Sequence, residues 1–395
     1  MDDQSDPEFP AVELPGAELL GPGLQESDLS TFEIPQRASD AFTVAEVRLH
    51  PVALRLKQPW VTAHGRVDER PLLLVELVTD DGRRAWGEVS ALPEPNYLPE
   101  TLETSRLALE RYLIPAVVHR SFTGPAELHA HLESTVRGHR FSKAALDCAA
   151  WSLAAEAAGE PLWRLLGGVR PIAPSGRALG FASPEKLLAQ VQAAVDAGFH
   201  LVKLKIAPGR DLEPLRAVRE ILPDHVFLAA DANCSYRLAD PEHRRALAAL
   251  DQLGLAFLEQ PFGWQDLADH ARLQAAVRTP LCLDESLLDP AHVQSALALG
   301  ACRLVNLKPS RVGGLTPSLH IHHLCHSAGI PLRVGGMLES GLGRHYGVAL
   351  ATLPGFTVPS DLGPSAQYWE RDLVDPPWEL EGGGLGGREA IEVSL

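Results

Sequence analysis

The chain has 395 residues, 45% of them hydrophobic, with 51 acidic residues against 35 Lys or Arg and a formal net charge of −16. That length suffices for a full barrel plus a smaller domain, and the apolar fraction supports a large core. The negative surplus argues against nucleic acid or membrane as partner, since both demand clustered Lys and Arg, and leaves a small molecule as the expected ligand.

Residues 1–40 hold ten Asp or Glu against one basic residue, Arg37, and are rich in Pro, which predicts a disordered acidic tail. They lack a basic start followed by an apolar stretch, and no run along the chain is long enough to span a bilayer, so the cytoplasm is the expected compartment. The five Cys (148, 234, 282, 302 and 325) are odd in number and widely spaced, and read as reduced, mostly buried thiols.

Residues 41–166 are expected to form an α+β capping domain. Strand-like runs over 44–56 and 72–79 meet a turn signal at Asp80-Asp81-Gly82. From Glu100 to about Leu166 the apolar period becomes helical, with Leu102, Leu107, Leu109 and Leu113, then Ala144, Ala145, Cys148, Ala149 and Leu153, on repeating faces.

After Gly167-Gly168, helical stretches over 184–197, 212–221 and 292–299 alternate with short apolar runs at 201–206, 226–231, 256–259, 280–284 and 303–308. Alternation of this kind predicts a parallel sheet. Candidate strands over 172–180 and 331–335 bring the count to seven, and 355–358 offers a weak eighth. The expected fold is therefore α/β, a modified TIM (β/α) barrel over 167–359 with its N-terminal cap, and 360–395 packing back on that cap. A doubly wound open sheet is the competing fold, but its usual glycine-rich phosphate turn after the first strand is absent.

Each apolar run carries a charged residue at or near its C-terminal end, where barrel active sites sit. Lys205, Asp231, Glu259, Asp284 and Lys308 follow one another at steps of 26, 28, 25 and 24 residues, one βα unit per step. Three carboxylates from adjacent strands would repel, and a divalent cation is the usual way to keep all three ionised. An all-oxygen set selects Mg²⁺, with Mn²⁺ second, although any one such acid taken alone reads as a helix cap or a salt-bridge partner. Lys203 and Lys205 share one face of a strand, and Lys308 lies across the mouth from them. Opposed amines beside a cation suit proton removal at a carbon α to a carboxylate, with the lysine pKa pushed down. A Schiff-base lysine is the rival reading, but it does not need three acids beside it.

The strings Gly138-His139-Arg140, Lys203-Leu204-Lys205-Ile206, Asp231-Ala232-Asn233, Glu259-Gln260-Pro261, Leu283-Asp284-Glu285-Ser286, Asn306-Leu307-Lys308-Pro309 and Gly335-Gly336-Met337-Leu338-Glu339-Ser340-Gly341 resemble, over about 44–375, the muconate-lactonizing subgroup of the enolase superfamily. The likeness is strongest to the branch of o-succinylbenzoate synthases and N-acylamino acid racemases. That resemblance implies Asp231, Glu259 and Asp284 as Mg²⁺ ligands, Lys205 as general base, Lys308 facing it, and Lys203 in support. It also implies substrate contacts from Asn233, Arg311, Gly336, Met337 and Ser340, and cap loops over 61–70 and 93–99 closing the mouth, with Trp60 and Tyr97 as candidate lining. Ala178 and Cys234 depart from the branch, where hydroxyl residues are commoner. The expected activity is a carbon–oxygen lyase, o-succinylbenzoate synthase, acting on a small carboxylate in menaquinone synthesis, with N-acylamino acid racemisation as the alternative. A homo-oligomer is expected.

His320, His322, His323 and His326 form a dense cluster without an accompanying acid, and read as solvated residues on an outer helix.

Overall fold

A computed structural model describes residues 41–62 and 65–394, and the tail expected to be disordered lies outside the described residues. The cap begins with the long strands β1 (Phe42–Thr62) and β2 (Gly65–Thr79), which pair antiparallel, followed through the Asp80-Asp81-Gly82 turn by β3 (Arg84–Val89). Thus 61–62 and 65–70, within a segment expected as a loop, are strand. Helix α1 (Leu102–Ala108) runs through a π turn into α2 (Ile114–Val117), and β4 (Ser121–Phe122) completes a sheet of order β3-β2-β1-β4. Next come α3 (Pro125–Thr135), α4 (Arg140–Ala158) and α5 (Leu162–Leu165). The Ala-rich face of α4 lies so close to β3 that a Cβ on Gly87 would stand 1.8 Å from the Ala145 carbonyl oxygen, so only glycine fits there.

The predicted strand over 172–180 splits into β5 (Ile172–Pro174) and β6 (Arg177–Leu179), and only β6 joins the barrel sheet. Pro174 removes one donor, and at Gly176 a Cβ would stand 2.9 Å from Leu201, so the chain kinks between the two. Alternation then follows as α6 (Pro184–Asp196), β7 (Leu201–Lys205), α7 (Leu212–Ile221), β8 (Phe227–Asp231), α8 (Pro241–Leu250), β9 (Leu258–Glu259), α9 (Leu267–Ala276), β10 (Leu281–Leu283), α10 (Pro290–Ala298), β11 (Leu304–Leu307), α11 (Pro309–Val312), α12 (Leu315–Ser327), β12 (Leu332–Val334) and α13 (Gly341–Ala351). The seven strands β6 to β12 are parallel and in sequence order, and apart from Arg177, Lys205 and Phe227 their side chains are buried on both faces, which is why each run reads as largely apolar.

The weak eighth strand does not form. Pro354, Gly355 and Pro359 break the run, and 355–361 closes the barrel irregularly, with Gly355 O accepting from Leu332 N, Asp361 N donating to Val334 O, and Ser360 bridging to Ser175. The barrel therefore continues past the expected boundary at 359. Of the C-terminal residues, Tyr368 to Glu370 dock on β1, β13 (Val374–Asp375) pairs with β15 (Glu392–Val393), and β14 (Gly384–Gly386) pairs with β5 rather than with the cap. No helix among the described residues is long and apolar enough to cross a membrane. Of the four clustered histidines His326 is exposed, as expected, whereas His320, His322 and His323 are half-buried: His322 bonds to the Pro354 carbonyl at 2.7 Å and stacks on Phe356, a correction to the solvated reading for these three.

Candidate active site

Parallel register sets the mouth. Lys205 pairs with Asp231, and Asp231 with Glu259, across β7, β8 and β9, so neighbouring strand ends present an ammonium and two carboxylates side by side. Asp284 follows β10 and Lys308 follows β11. Alternation puts Lys203 on the same face as Lys205, one layer deeper.

Each carboxylate rests on cations. Lys205 Nζ donates to Asp231 Oδ2 at 2.6 Å, and Lys203 Nζ reaches Glu259 Oε2 and Asp361 Oδ2 at 2.7 Å each and Asp231 Oδ2 at 3.3 Å. Lys308 Nζ donates to Asp284 Oδ2 at 2.7 Å, while the other Asp284 oxygen accepts from Tyr97 OH at 2.9 Å and from Arg311. Arg333 holds both Asp361 oxygens at 2.6 and 3.0 Å and Glu259 at 3.3 Å. Lys203, Lys205, Lys308, Arg311 and Arg333 thus pair with Asp231, Glu259, Asp284 and Asp361, while burial and the nearby Asp231 push the carboxyl of Glu285, which accepts from the Asn233 amide, up to about 7.

Burial would raise the Asp231 carboxyl, but the Lys205 and Lys203 ammoniums overcome it and hold it well below the usual carboxylate range. For Lys308, burial favours the neutral amine, yet Tyr97, Glu285 and Glu259 keep it above the ordinary lysine value. Lys203 is raised likewise, against its burial, by Asp361, Glu259 and Asp231. The expected depression of the lysines is therefore not a property of Lys203 or Lys308 with these side chains alone.

A cavity of about 220 Å³ opens over this ring. Trp60, Arg66 and Val67 of the β1–β2 hairpin and Pro93, Asn96 and Tyr97 of the following loop form its roof, and Lys203, Lys205, Asp231, Asn233, Glu259, Lys308, Gly336 and Met337 line it from the barrel. Ala178 is in the wall. Asp284 does not face the cavity directly, because Tyr97 and Lys308 cover it.

Two expected substrate contacts are corrected. Arg311 is fully buried behind Asp284, its remaining donors taken by the Leu287 and Asn306 carbonyls, so it orients the ring from outside the cavity. Ser340 is buried too, its hydroxyl donating to Glu88 and accepting from Leu342 N as the cap of α13.

Asp361 and Arg333 went unnoticed in the sequence, although a signal was present. From Lys308, a step of 25 residues reaches Arg333 and a further 28 reaches Asp361, continuing the βα spacing.

The donor set fits a hard divalent cation. Among the described residues Glu285 Oε2, Asn233 Oδ1 and Asn306 Oδ1 are buried acceptors without a hydrogen-bond partner, and they lie beside the carboxylates: Asn306 bonds to Glu259 and Asn233 to Glu285. As the side chains stand, no group of three or more Asp, Glu, His or Cys among the described residues is gathered closely enough to hold a metal ion, since each carboxylate is drawn onto a lysine or arginine. A metal would have to replace Lys205 on Asp231 and Lys308 on Asp284.

Beneath the Gly336–Met337 wall, Glu88 is fully buried. Burial pushes its carboxyl up to about 7, with Glu339 adding to the rise and the Ser340 bond and Arg70 opposing it. The folded state then binds the proton more tightly than the unfolded chain, whose value is 4.5, so this contribution is complete below about 4.5 and is lost as pH climbs through about 7. Relative to wild type, Glu88→Gln is expected to gain stability between pH 5 and 7.5, by up to about 3 kcal/mol. Urea unfolding across that range tests it; parallel curves for the two proteins would remove the assignment.

The fold and the ring define a class, and comparison with known proteins agrees. Residues 44–167 match the mandelate racemase / muconate lactonizing enzyme N-terminal domain, and residues 186–388 match the enolase C-terminal domain-like model. The chain belongs to the mandelate racemase / muconate lactonizing enzyme family of the enolase superfamily. Within it, the chain is similar to the o-succinylbenzoate synthase of Geobacillus kaustophilus, 40% identical over 87% of this chain and 90% of that protein. It is equally similar to the N-succinylamino acid racemase of Thermus thermophilus, 42% identical over 89% and 93%. A solved dipeptide epimerase from Enterococcus faecalis V583, complexed with Mg and the dipeptide L-Leu-L-Tyr, superposes with a TM-score of 0.80 at 25% identity, covering 88% of this chain and 98% of that one.

Proposed function

We propose that this chain is an o-succinylbenzoate synthase, dehydrating 2-succinyl-6-hydroxy-2,4-cyclohexadiene-1-carboxylate in menaquinone synthesis. The observation carrying the proposal is the pair of amines lining one cavity, the half-buried Lys205 on Asp231 and the buried Lys308 on Asp284, with Asp231 and Glu259 in the wall beside them. The synthase relatives support the substrate assignment.

Asp231, Glu259 and Asp284 would hold Mg²⁺, or Mn²⁺ in its place, and the ion would supply fixed positive charge beside the substrate carboxylate as the α carbon loses its proton. Lys205, freed from Asp231, takes that proton and delivers it to the departing hydroxyl, so water leaves and the ring becomes aromatic. Lys308 stays charged on the opposite face and stabilises the developing anion. Lys203, held by three carboxylates, keeps its proton and fixes Glu259 and Asp361. Tyr97 and the hairpin residues exclude water from above.

Racemisation of N-succinylamino acids is the second reading, favoured by the near symmetry of the two lysines and by the racemase relatives. There Lys205 and Lys308 exchange the roles of base and acid. Rates of both reactions on the purified enzyme decide between them; dehydration negligible beside racemisation would sink the first reading. On either reading the enzyme works in the cytoplasm on a small carboxylate, as a homo-oligomer.

Chelation with EDTA is expected to abolish activity and Mg²⁺ to restore it. Asp231→Asn should weaken Mg²⁺ binding by about 10-fold or more in calorimetric titration. Unchanged affinity in the variant would remove Asp231 from the ligand set.

A further inference from the structure

A second cavity, of about 390 Å³, lies outside the barrel against its first strand. Alternation along β6 turns Ala178 into the active-site cavity and Arg177 and Leu179 outward into this one. Its other walls are α6, the 57–60 segment of β1, and residues 366–368. Trp60 and Tyr368 stand between the two cavities and line both.

The charge here is one-sided. Arg177, Lys57 and Lys186 line the cavity, and no Asp or Glu among the described residues does. The Arg177 side chain is partly buried and makes no hydrogen bond or ion pair to an acid among the described residues, with the Tyr368 phenol as its electrostatic neighbour. In the same lining, the carboxamide oxygen of Gln190 and both carboxamide heteroatoms of Gln367 are buried without a partner among the described residues. A partly buried guanidinium facing a cavity without a carboxylate is free to take an anion from solution, and its planar fork matches an oxyanion. The remaining surface, from Leu179, Phe181 and Phe199, is apolar.

We propose that this cavity is a binding site, separate from the active site, for a small organic oxyanion, a carboxylate or phosphate monoester joined to an apolar body. Arg177 grips the oxyanion, Lys57 and Lys186 add charge from the rim, Gln190 and Gln367 meet its polar edges, and the apolar group lies on Phe181 and Phe199. The site stands whichever reaction the active site runs.

Calorimetric titration of the full-length enzyme with benzoate, with phenyl phosphate and with uncharged benzyl alcohol tests this. One or both anions should bind saturably with a dissociation constant below about 1 mM while the alcohol does not, and the stronger anion identifies the oxyanion class. Arg177→Gln should weaken that binding by about 10-fold or more with basal turnover unchanged, and Lys308→Ala should leave it intact. Should Arg177→Gln fail to fold, the exposed pair Lys57→Gln with Lys186→Gln carries the test, with an expected loss of about 3-fold or more. Failure of both anions to saturate, binding that survives these substitutions, or binding abolished by Lys308→Ala would overturn the proposal. The last result would place the ligand in the active site, without bearing on the reaction proposed there.

Discussion

Lys205→Ala is expected to lower turnover by about 10³-fold or more while the circular dichroism spectrum stays that of the wild type, because it removes the amine proposed to take and return the proton. The fold should survive, since Asp231 keeps Lys203 at 3.3 Å and the Asn233 N–H at 3.1 Å. Loss of activity in the alanine variant does not by itself separate a base from a fixed positive charge. Lys205→Arg does: a guanidinium preserves the charge beside Asp231 but cannot shed its proton at neutral pH. Both variants should therefore be inactive. Near wild-type turnover in Lys205→Arg would show that only the charge matters, and would end the general-base assignment.

The second large effect falls on stability. Arg333→Met is expected to cost about 3–5 kcal/mol in chemical denaturation, because it leaves Asp361 and Glu259 buried with Lys203 as their shared cation. Burial alone would raise the Asp361 carboxyl; Arg333 and Lys203 instead hold it well below the ordinary carboxylate range. With Arg333 gone, the folded-state value rises, and protonation relieves the unpaired charge. The stability gap to wild type should therefore shrink as pH falls from 7 toward 4. A loss under about 1 kcal/mol, or a gap independent of pH, would mean that the Arg333–Asp361 pair is not what holds the floor of the site together.

These two results probe different layers of one ring. Lys205 borders the cavity, whereas Arg333 is not in its lining and is held behind it by Glu259, Asp361, the Pro359 carbonyl and the Phe257 ring. Arg311 plays a similar part for Asp284 from behind the β10 and β11 ends. The charges that would meet substrate are thus set in position by charges that never reach it.

Much of this was readable from residue order. A strand buried on both faces must be apolar throughout, so each run announced itself, and the lone charge at its end marked the barrel mouth. The βα step of 24 to 28 residues placed Lys205, Asp231, Glu259, Asp284 and Lys308 on successive strand ends, and the two-residue period put Lys203 below Lys205. Those facts depend only on local periodicity and connectivity, which a linear sequence records. Partner choice does not. Whether Asp284 meets Tyr97, Lys308 or Arg311, and whether Ser340 faces the cavity or Glu88, depends on distances between segments as far as 252 residues apart in the chain. The irregular closure at 355–361 was decided in the same way, since it is the fit of Ser360 and Asp361 between β12 and β5 that satisfies the backbone where Pro354, Gly355 and Pro359 prevent a strand.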